Sequence, residues 1–374
     1  MRVLHLIESL GLGGAERRLL NDATRLHGQF EQTVVYLFTD ETLAGSLRVR
    51  GIPTIGLNLR GLADARAFAR IRRLIHDLRP DLIHTQLFGA DCYGRVVGRC
   101  LGIPVISTIQ SSWYDDPEPF HFSLKRRWLD RLTVRIYSQQ VIAVSEFVKQ
   151  TIQRHLRLPL SRIHVIPNAV DPQPYEQVDM QRVAALRQTL EIPPDVHVLM
   201  TVGKLQPPKG HRYGLEAMAR RRGRSPRWYW ILVGDGVGRP DIEREVERLG
   251  LQDSVRFLGI RQDIPELLAL SDLFVFPSTS AEGLPFALLE AMAAGKACVG
   301  FRMGPTPEVI DDGVTGLLAE PRSAASLAEA IETLLADPHR REQMGRAGRQ
   351  RVHEHFHADE AARQLGELYR MWER

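Results

Sequence analysis

Two glutamates eight positions apart, Glu282 and Glu290, border a segment that can open a helix. Pro285 suits the first turn of a helix, so we expect Glu282 in the preceding loop and Glu290 more than one turn inside. The N-terminus of such a helix attracts a phosphate, and the flanking carboxylates can accept hydrogen bonds from hydroxyl groups. This layout predicts a site for a sugar, a diphosphate and a ribose. The alternative is that Glu290 is a helix-edge residue with one solvated face.

Two lysines, Lys204 and Lys209, stand on a loop rich in glycine and proline that begins at Gly203. Their side chains can converge on one anionic group, and the compact charge of lysine suits phosphate oxygens. The alternative is a pair of ordinary surface lysines. The loop therefore predicts a second set of phosphate contacts.

A further glycine-rich turn lies near the N-terminus, where residues 11–16 read Gly-Leu-Gly-Gly-Ala-Glu between a strand-like run and a helical pattern. Glycines at such a helix start let backbone amides approach a phosphate. A dinucleotide fingerprint would place glycine at position 16, where this chain has Glu16, so the pattern argues against a nicotinamide cofactor. The alternative is a tight turn between strand and helix.

Length and composition set the class of protein. The chain has 374 residues, 44% of them hydrophobic, which is too long for one ordinary core and predicts two domains. The formal charge of +4 is mild and the basic residues are spread out, so we expect no nucleic acid partner. Three cysteines without metal-ligand spacing suit a reducing compartment.

The location predicted from the sequence is the cytoplasm. Glu8 and the glycine-rich turn interrupt the apolar start, which argues against a signal peptide. No apolar run in the sequence approaches the length of a spanning helix. We therefore expect a protein that is soluble or rests on a membrane surface.

Strand-like runs alternate with helical patterns along both halves of the chain, which predicts parallel strands joined by helices. We expect an α/β fold of two doubly wound, Rossmann-like domains that face each other across a cleft. The domains are residues 1–170 and 171–354, with turn formers at 167–174 as the linker, and the helix at about 355–374 is expected to pack back onto the first domain. The predicted strands are 3–7, 33–38, 82–85, 105–108, 141–144, 163–166, 196–202, 229–233, 255–257, 273–276 and 297–300.

Taken in order, these motifs resemble a large family of retaining glycosyltransferases with the GT-B fold, family four. The resemblance extends along almost the whole chain, and the paired glutamates in their context are its most specific part. Its other motifs lie at 13–16, 80–84, 144–145, 166–168, 203–204, 209–210, 233–236, 257–259, 304–310 and 312–318.

The resemblance implies a role for each matching residue and a nucleoside diphosphate sugar, UDP- or GDP-linked, as the donor. Lys204, Lys209 and Glu282 would be catalytic, with the lysines stabilising the leaving diphosphate and Glu282 holding sugar hydroxyls. Glu290 would hold the ribose hydroxyls. The remaining substrate-binding positions that the resemblance implies are Gly13, Gly14, His84, Gln110, Asn168, Gly203, Arg261, Gly283, Leu284, Pro285 and Phe286.

Four positions depart from the family pattern. Lys204 stands where arginine is usual, Ala169 replaces a usual glycine, and Gln86 replaces a common second histidine. Gln110 stands where many members carry a histidine near the sugar; it can donate to a sugar oxygen but cannot titrate. His84 remains a candidate polar contact to the substrate, and the alternative is an ordinary histidine with its hydrogen bonds satisfied inside the fold.

The implied reaction breaks the bond between an anomeric carbon and a diphosphate, with retention of configuration. Fixed cations and helix dipoles can stabilise the charge that develops on the phosphate. No Asp-Xaa-Asp metal anchor occurs in the sequence, so we expect lysines in place of a divalent ion, with no metal and no cofactor. Front-face attack, in which the leaving phosphate takes the acceptor proton, requires no protein nucleophile, and Glu282 is not assigned that role.

The expected acceptor is a saccharide or a lipid-linked saccharide, in the biosynthesis of a cell-surface polysaccharide or glycolipid. Two basic amphipathic stretches, 65–79 and 113–137, could rest on an anionic membrane surface. The alternative is ordinary amphipathic helices with solvated basic faces. Their apolar residues are Phe68, Ile71, Ile75 and Leu78 in the first stretch and Trp113, Phe120, Phe122, Trp128 and Tyr137 in the second.

Two other functions remain open on the sequence alone. One is a non-catalytic subunit that binds a nucleotide sugar for a partner enzyme, and donor hydrolysis without acceptor would separate it from a transferase. The other is a different enzyme of the same fold, such as a nucleotide-sugar epimerase or a phosphorylase. The paired glutamates and the lysine loop argue against an epimerase, and the chain is short for a phosphorylase.

Overall fold

The computed structural model describes residues 1–61, 64, 66–115, 124–221, 223, 227–279 and 282–373. Two of the predicted membrane-facing aromatics, Phe120 and Phe122, lie outside these residues. The strands are, in chain order, β1 (Arg2–Ile7), β2 (Glu31–Tyr36), β3 (Thr54–Gly56), β4 (Leu82–Gln86), β5 (Val105–Ile109), β6 (Gln140–Ala143), β7 (Ile163–Val165), β8 (Val196–Val202), β9 (Arg227–Val233), β10 (Val255–Gly259), β11 (Leu273–Phe276), β12 (Cys298–Phe301) and β13 (Gly316–Ala319).

The helices alternate with the strands over most of the chain. They are α1 (Gly14–Arg25), α2 (Ala44–Arg48), α3 (Ala67–Leu78), α4 (Phe88–Leu101), α5 (Leu124–Tyr137), α6 (Glu146–Leu156), α7 (Gln173–Glu176), α8 (Met180–Thr189), α9 (His211–Arg220), α10 (Arg239–Leu249), α11 (Ile264–Leu270), α12 (Phe286–Ala293), α13 (Thr306–Val309), α14 (Ala324–Ala336), α15 (Pro338–His355) and α16 (Ala358–Arg370). Short 3-10 turns occupy Trp113–Asp115, Leu160–Arg162 and Pro207–Lys209.

The strands form two parallel sheets. In the described residues, one is seven-stranded with the order β3-β2-β1-β4-β5-β6-β7, and the other is six-stranded with the order β10-β9-β8-β11-β12-β13. Every strand pairs in parallel with its neighbours, because each connection is a helical crossover. The arrangement confirms the predicted α/β class of two doubly wound sheets.

The chain divides into two compact units. The first comprises Met1–Ala169, Ala281–Leu284 and Ala358–Arg374, and the second comprises Val170–Ser280 and Pro285–His357. The predicted boundaries placed residues 282–284 in the second domain, and the structure corrects this. The reason is a set of hydrogen bonds from the first unit to this short loop, described below.

The first sheet is buried on both faces. On one face Val3 and Leu82 pack against Leu365 and Tyr369 of α16, and on the other Leu4 and Ile83 pack against α3 and α4. Successive strand residues point to opposite faces, so a strand covered on both sides must be apolar throughout. This explains the runs without alternation that identified the strands in the sequence.

A large core covers one face of the second sheet. Trp230 on β9 is 1% exposed and lies over Gly214 of α9, where an added Cβ would come within 2.1 Å of the indole. Tyr213 meets Phe301 of β12 edge to face. These large side chains fix the distance between α9 and the sheet, and thereby the position of the loop that precedes α9.

Two residues of the membrane-facing stripe predicted on α3 are buried in the core instead. Ile71 and Ile75 are 0% and 1% exposed and belong to the core over the first sheet. Their spacing is that of a helix stripe, and such a stripe faces the core when a sheet lies beneath the helix. Of the predicted stripe, Phe68 is 38% exposed and Leu78 is half-buried.

Candidate active site

Each sheet reverses its strand order at one point, between β1 and β4 in the first and between β8 and β11 in the second. A crevice opens outside the carboxyl ends of the strands at such a point, because the flanking loops turn to opposite sides. The loops at these positions carry Gly13 and Gln86 in the first unit and Gly203 and Thr279 in the second. The predicted chemical groups are therefore on the loops that the topology favours for ligands.

The glycine-rich turn leads directly into α1. Gly13 is the N-cap residue and has extended backbone dihedrals, so α1 begins at Gly14 with its amides directed outward. The Glu16 carboxylate folds back over the turn, where an added Cβ on Gly13 would lie 2.3 Å from Glu16 Oε2. Ser9 Oγ donates to Glu16 Oε1 at 2.9 Å. A negative charge thus already stands beside Gly13, which leaves the lysine loop as the stronger phosphate site.

The loop that carries Glu282 is held through three consecutive backbone carbonyls. Ser112 Oγ donates to the Glu282 carbonyl at 3.1 Å and Ser145 Oγ donates to the Gly283 carbonyl at 2.8 Å. Asn168 Nδ2 donates to the Leu284 carbonyl at 2.9 Å. The three donors follow β5, β6 and β7 in the sequence, and they are between 0% and 3% exposed. We call residues 282–284 the Glu282 loop.

Gly283 permits a close approach of two backbones. A Cβ at this position would lie 1.9 Å from the Gln110 carbonyl oxygen and 2.8 Å from Val144 Cγ2, so only glycine fits. Gln110 itself is half-buried and donates through Nε2 to Gln86 Oε1 at 3.0 Å. Gln86 is 1% exposed, and its Nε2 has no hydrogen-bond partner among the described residues. Gln110 is thus placed beside the Glu282 loop and oriented by a buried amide.

His84 is not available to a substrate, contrary to the predicted polar contact. The side chain is 1% exposed, and its two ring nitrogens are hydrogen-bonded to Tyr369 Oη at 2.5 Å and Thr108 Oγ1 at 2.7 Å. Burial holds the pKa of His84 well below its ordinary value. His84 lies within β4, whereas Gln86 at the end of that strand reaches the loops. The residue ties α16 to the first sheet.

Asn168 connects the Glu282 loop to α1. Its Oδ1 accepts from Arg18 NH1 at 3.3 Å, and the same guanidinium nitrogen donates to the carbonyls of Ile166 at 2.9 Å and Pro167 at 3.0 Å. Arg18 is 1% exposed and is paired with Asp22 at 2.7 Å. The charge of a buried arginine is stabilised by this set of acceptors. As a result the Asn168 amide can present only its Nδ2 to Leu284.

The lysine loop belongs to the second unit and is fixed at both ends. Gly203 N donates to the Val233 carbonyl at 2.9 Å. Gly234 has a φ of 129°, and no side chain fits there, because a Cβ would lie 2.0 Å from the Gly203 carbonyl oxygen. Lys204 is exposed and Lys209 half-buried. The loop therefore presents its cations from a rigid backbone.

A second loop is joined to the lysine loop at Pro208. The Pro208 carbonyl accepts from Thr279 N at 2.8 Å and from Thr279 Oγ1 at 3.2 Å. Gly210, with a φ of 68°, packs against the Pro277 carbonyl, 1.9 Å from where a Cβ would stand. Residues 277–279 follow β11 and precede the Glu282 loop and α12. These contacts bring Lys209 toward the loop from which α12 starts.

Helix α12 begins at Phe286, with Pro285 as its N-cap residue. Pro285 therefore stands one position before the predicted first turn, and Glu282 lies in the preceding loop as expected. Glu290 is in the second turn and is 5% exposed between fully buried leucine and alanine neighbours. A carboxylate in such surroundings is costly unless polar groups meet it. Its burial rules out the solvated helix edge that was the alternative.

Arg261, one of the predicted substrate-binding residues, is paired with a carboxylate two positions away. The guanidinium is bonded to Asp263 through Nε–Oδ1 at 2.8 Å and NH2–Oδ2 at 2.5 Å. This hydrogen bonding lowers the pKa of Asp263. The neighbouring Ile260 is 65% exposed. An apolar side chain is thus more accessible at this loop than the arginine head group.

The sequence analysis named Asn168 as a substrate-binding residue, but it did not predict that Asn168, Ser112 and Ser145 hold the Glu282 loop or that Gln86 pairs with Gln110. The signal that could have found the three donors is their common position two or three residues after a strand, where loops line a crevice. Within the part of the chain that the structure describes, no group of three histidine, cysteine, aspartate or glutamate side chains is placed to hold a metal ion.

Two family models match the chain. The model described as "Glycosyltransferase Family 4" matches residues 12–174, and the model described as "Glycosyl transferases group 1" matches residues 183–351. The first covers the glycine-rich turn, Gln110 and Asn168, and the second covers the lysine loop, Glu282 and Glu290.

Similar proteins have been characterised in several bacteria. Alpha-D-kanosaminyltransferase of Streptomyces kanamyceticus is 30% identical over 288 residues, which are 74% of this chain and 73% of that protein. The UDP-Gal:alpha-D-GlcNAc-diphosphoundecaprenol alpha-1,3-galactosyltransferase of Escherichia coli is 25% identical over 299 residues, 79% of this chain and 76% of that protein. Among solved structures, Anabaena HepE in complex with UDP-glucose has a TM-score of 0.90 at 25% identity, covering 99% of this chain and 100% of that one.

Proposed function

The chain belongs to glycosyltransferase family four, the retaining enzymes with the GT-B fold that use nucleotide sugars, and on that premise we propose that it transfers a hexose from a UDP-sugar to a saccharide or lipid-linked acceptor. The uridine nucleotide is supported by two relatives, one named for UDP-galactose and one bound to UDP-glucose. The acceptor class is supported by the relative that acts on a diphosphoundecaprenol-linked sugar. The proposed setting is cytoplasmic biosynthesis of a cell-surface polysaccharide or glycolipid.

The observation that carries the donor site is the junction of the lysine loop with residues 277–279 at the Pro208 carbonyl. The lysine loop held by this junction carries Lys204 and Lys209, which offer two positive charges on a rigid backbone. Fixed charges of this kind stabilise a departing diphosphate without reorganising as the bond breaks. We assign both lysines this role, and we expect no requirement for a divalent metal ion.

The two glutamates are assigned to opposite ends of the donor. Glu290, buried in the second turn of α12, would accept hydrogen bonds from the ribose hydroxyls. Glu282 would accept hydrogen bonds from sugar hydroxyls, with the amides at Leu284 to Phe286 contacting the sugar and phosphate. Charged acceptors make strong hydrogen bonds to hydroxyls, so each carboxylate would fix one part of the ligand.

The proton of the acceptor is proposed to leave with the nucleotide. In a front-face reaction, the acceptor oxygen bonds to the anomeric carbon as the bond to the phosphate oxygen breaks, and that phosphate oxygen takes the acceptor proton. Gln110 has no titratable group, so this residue would orient a sugar oxygen through its amide rather than move a proton. Gln86 holds the Gln110 amide in place at 3.0 Å.

Thermal stabilisation by a panel of nucleotide sugars, with EDTA present, tests the donor site. A UDP-hexose should raise the melting temperature, since a ligand that binds only the folded state stabilises it. Release of UDP on addition of an acceptor then tests transfer. If no nucleotide sugar shifts the melting temperature of the folded protein, the proposed donor site is wrong. Stabilisation without donor hydrolysis or transfer would instead indicate a non-catalytic binding subunit.

A further inference from the structure

Helix α5 carries an apolar stripe that faces solvent. Trp128 is 65% exposed, Leu129 40%, Leu132 38% and Ile136 54%. Residues three and four positions apart lie on the same side of a helix, so these four side chains form one continuous strip. Single exposed apolar residues are ordinary, whereas a contiguous strip marks an interaction surface.

The same helix has a strong positive charge. Its one acidic residue, Asp130, is 5% exposed and accepts a hydrogen bond from the buried Arg95 at 2.5 Å, so it does not offset the exposed charge. On the adjacent α3, three arginines are exposed, together with Asp77. The basic residues are Lys125, Arg126, Arg127, Arg131 and Arg135 on α5 and Arg70, Arg72 and Arg73 on α3.

An apolar cavity of about 240 Å³ opens beside the strip, between α3, α4 and α5. Leu129 belongs to both the strip and the wall of the cavity. The other apolar walls are Phe68, Phe88, Tyr93 and Val96. Apolar volume next to a basic helix can take hydrocarbon while the cations contact charged head groups.

We propose that this surface, defined by Trp128, Leu129, Leu132 and Ile136 with the basic residues around them, docks on a bilayer that contains anionic phospholipid. Each cation near such a surface gains attraction from the negative potential, and the apolar strip gains from leaving water. A second copy of the chain fits less well, because its α5 would bring a second set of like charges against the first. Docking would place the first unit at the surface where a lipid-linked acceptor resides.

Vesicle sedimentation tests the proposal with the full chain. Wild-type protein should bind vesicles of phosphatidylcholine with phosphatidylglycerol at low salt, bind phosphatidylcholine alone weakly, and lose binding at high salt, because exposed charges are screened. The Trp128→Ser and Leu132→Ser variants should each lose about tenfold in vesicle affinity. Leu160→Ser is the matched control, since Leu160 is 61% exposed on a 3-10 turn of the same unit.

Insertion can be separated from electrostatic adsorption by quenching of tryptophan fluorescence with brominated lipid. If brominated lipid quenches the tryptophan fluorescence of wild type, and quenches that of Trp128→Phe less, the strip inserts into the bilayer. Equal binding by Trp128→Ser, Leu160→Ser and wild type would overturn the proposal, as would no binding to anionic vesicles at low salt. A lipid-free dimer that Trp128→Ser dissociates would assign the surface to a second copy and also overturn it.

A second, independent observation concerns the Glu282 loop. Its three successive carbonyls accept hydrogen bonds from Ser112, Ser145 and Asn168, none of which is more than 3% exposed. Three buried side chains that each donate a hydrogen bond to the same short loop fix its backbone at three points. We infer, on the basis of the proposed function, that Ser112 and Asn168 are positioning residues that set where Glu282 meets the donor sugar.

The Asn168→Asp variant removes one donor with little change of shape. Aspartate can still accept from Arg18 but cannot donate to the Leu284 carbonyl. Transfer from the UDP-sugar, measured as kcat/KM, should fall by about ten- to a hundredfold, because a small displacement of a contact group has large effects on rate. Affinity for UDP alone should stay at the wild-type value, since UDP lacks the transferred hexose that Glu282 would contact.

Asn21→Asp is the matched control, because Asn21 Nδ2 also donates to a backbone carbonyl, that of Ala169 at 3.2 Å, which is next to Asn168 but outside the Glu282 loop. Equal transfer rates in the two variants would overturn the inference, as would an equal loss of UDP affinity and of transfer in Asn168→Asp. If Asn168→Asp does not fold, Ser112→Ala is compared with Ser271→Ala, whose Oγ donates to the Leu268 carbonyl at 2.8 Å. A wild-type protein that neither binds nor transfers from UDP-sugars would count against the proposed function instead.

Discussion

At the scale of single residues, the two units contribute different chemistry. The second unit presents Lys204 and Lys209 on a rigid loop and buries Glu290 in a helix, which suits a nucleotide with a diphosphate. The first unit presents the half-buried amide of Gln110, which suits sugar hydroxyls. The division follows from residue type, because phosphate needs positive charge and a sugar needs directional hydrogen bonds.

Lys209→Ala should reduce kcat/KM by about a hundredfold, as expected for loss of one fixed group that stabilises charge in the transition state. Steady-state kinetics with the donor found in the stabilisation screen provides the measurement. Lys149→Ala is the control, because Lys149 pairs with Glu146 at 3.0 Å on the surface of α6. Similar rates for the two variants would contradict the assignment of Lys209.

Substitution of the two glutamates by glutamine should separate the ends of the donor. Glu290→Gln should weaken binding of UDP itself by about tenfold, through loss of charged hydrogen bonds to the ribose. Glu282→Gln should leave UDP affinity unchanged and lower the turnover of the UDP-sugar by about tenfold or more. Calorimetric titration with UDP and initial rates measure the two effects. Near wild-type turnover of Glu282→Gln would exclude the assigned sugar contact.

At the scale of elements, the positions of the loops are determined by close backbone contacts with neighbouring segments. The Glu282 loop passes Gln110 at a distance that excludes any Cβ on Gly283, and Gly210 passes Pro277 in the same manner. Such contacts hold loops rigidly because backbone atoms cannot rotate away as side chains can. The positions of Glu282 and Lys209 are therefore set by two neighbouring glycines, Gly283 and Gly210, that permit these close contacts.

Gly283→Ala should abolish transfer, with a loss of at least about a hundredfold, since the new methyl group would have to displace the loop or β5. Gly45→Ala is the control within the same unit: a Cβ at this position of α2 would have no atom within 4 Å, so alanine should stabilise the protein slightly. Melting temperatures and transfer rates of both variants check the prediction. Retained activity in Gly283→Ala would show that the loop can shift freely.

The elements themselves were largely predictable from the sequence, whereas the contacts between distant segments were not. The apolar runs identified most strands, but β3 was missed because it has only three residues, and β13 because it is short and contains no β-branched residue. The lysine loop and the paired glutamates were found by residue type. The role of His84 was not, since its partner Tyr369 lies 285 positions away in the sequence.

At the scale of the whole molecule, buried neutral histidines couple stability to pH. Burial lowers the pKa of His5 and of His211 to about 4, and the positive charge of Lys209 adds to the effect at His211. Because the folded pKa lies below the unfolded value of about 6.5, the stability that these groups provide is present above pH 6.5 and is lost as the pH falls toward 4. Asp91, whose pKa burial raises to about 7, has the opposite dependence.

The contribution of His211 to the pH dependence of stability can be isolated by comparing wild type with a variant that lacks the imidazole. Its ring nitrogens have no hydrogen-bond partner among the described residues, so leucine can replace it without leaving an unpaired group. As the pH falls from 6.5 to about 4, the free energy of unfolding of His211→Leu should decrease less steeply than that of wild type. The two slopes should differ by about 1.4 kcal/mol per pH unit. Urea unfolding at several pH values measures this, with the exposed His339→Leu as control. Parallel pH profiles of His211→Leu and wild type would contradict it.

The return of α16 to the first sheet affects how the protein is made. Leu365 and Tyr369 near the end of the chain pack against Val3 and Leu82 near its start. During translation the ribosome therefore exposes most of the first unit, and the whole second unit, before the residues that complete the first core have been synthesised. A nascent chain will carry an uncovered apolar sheet face until α16 has been synthesised, and such a face is prone to aggregation.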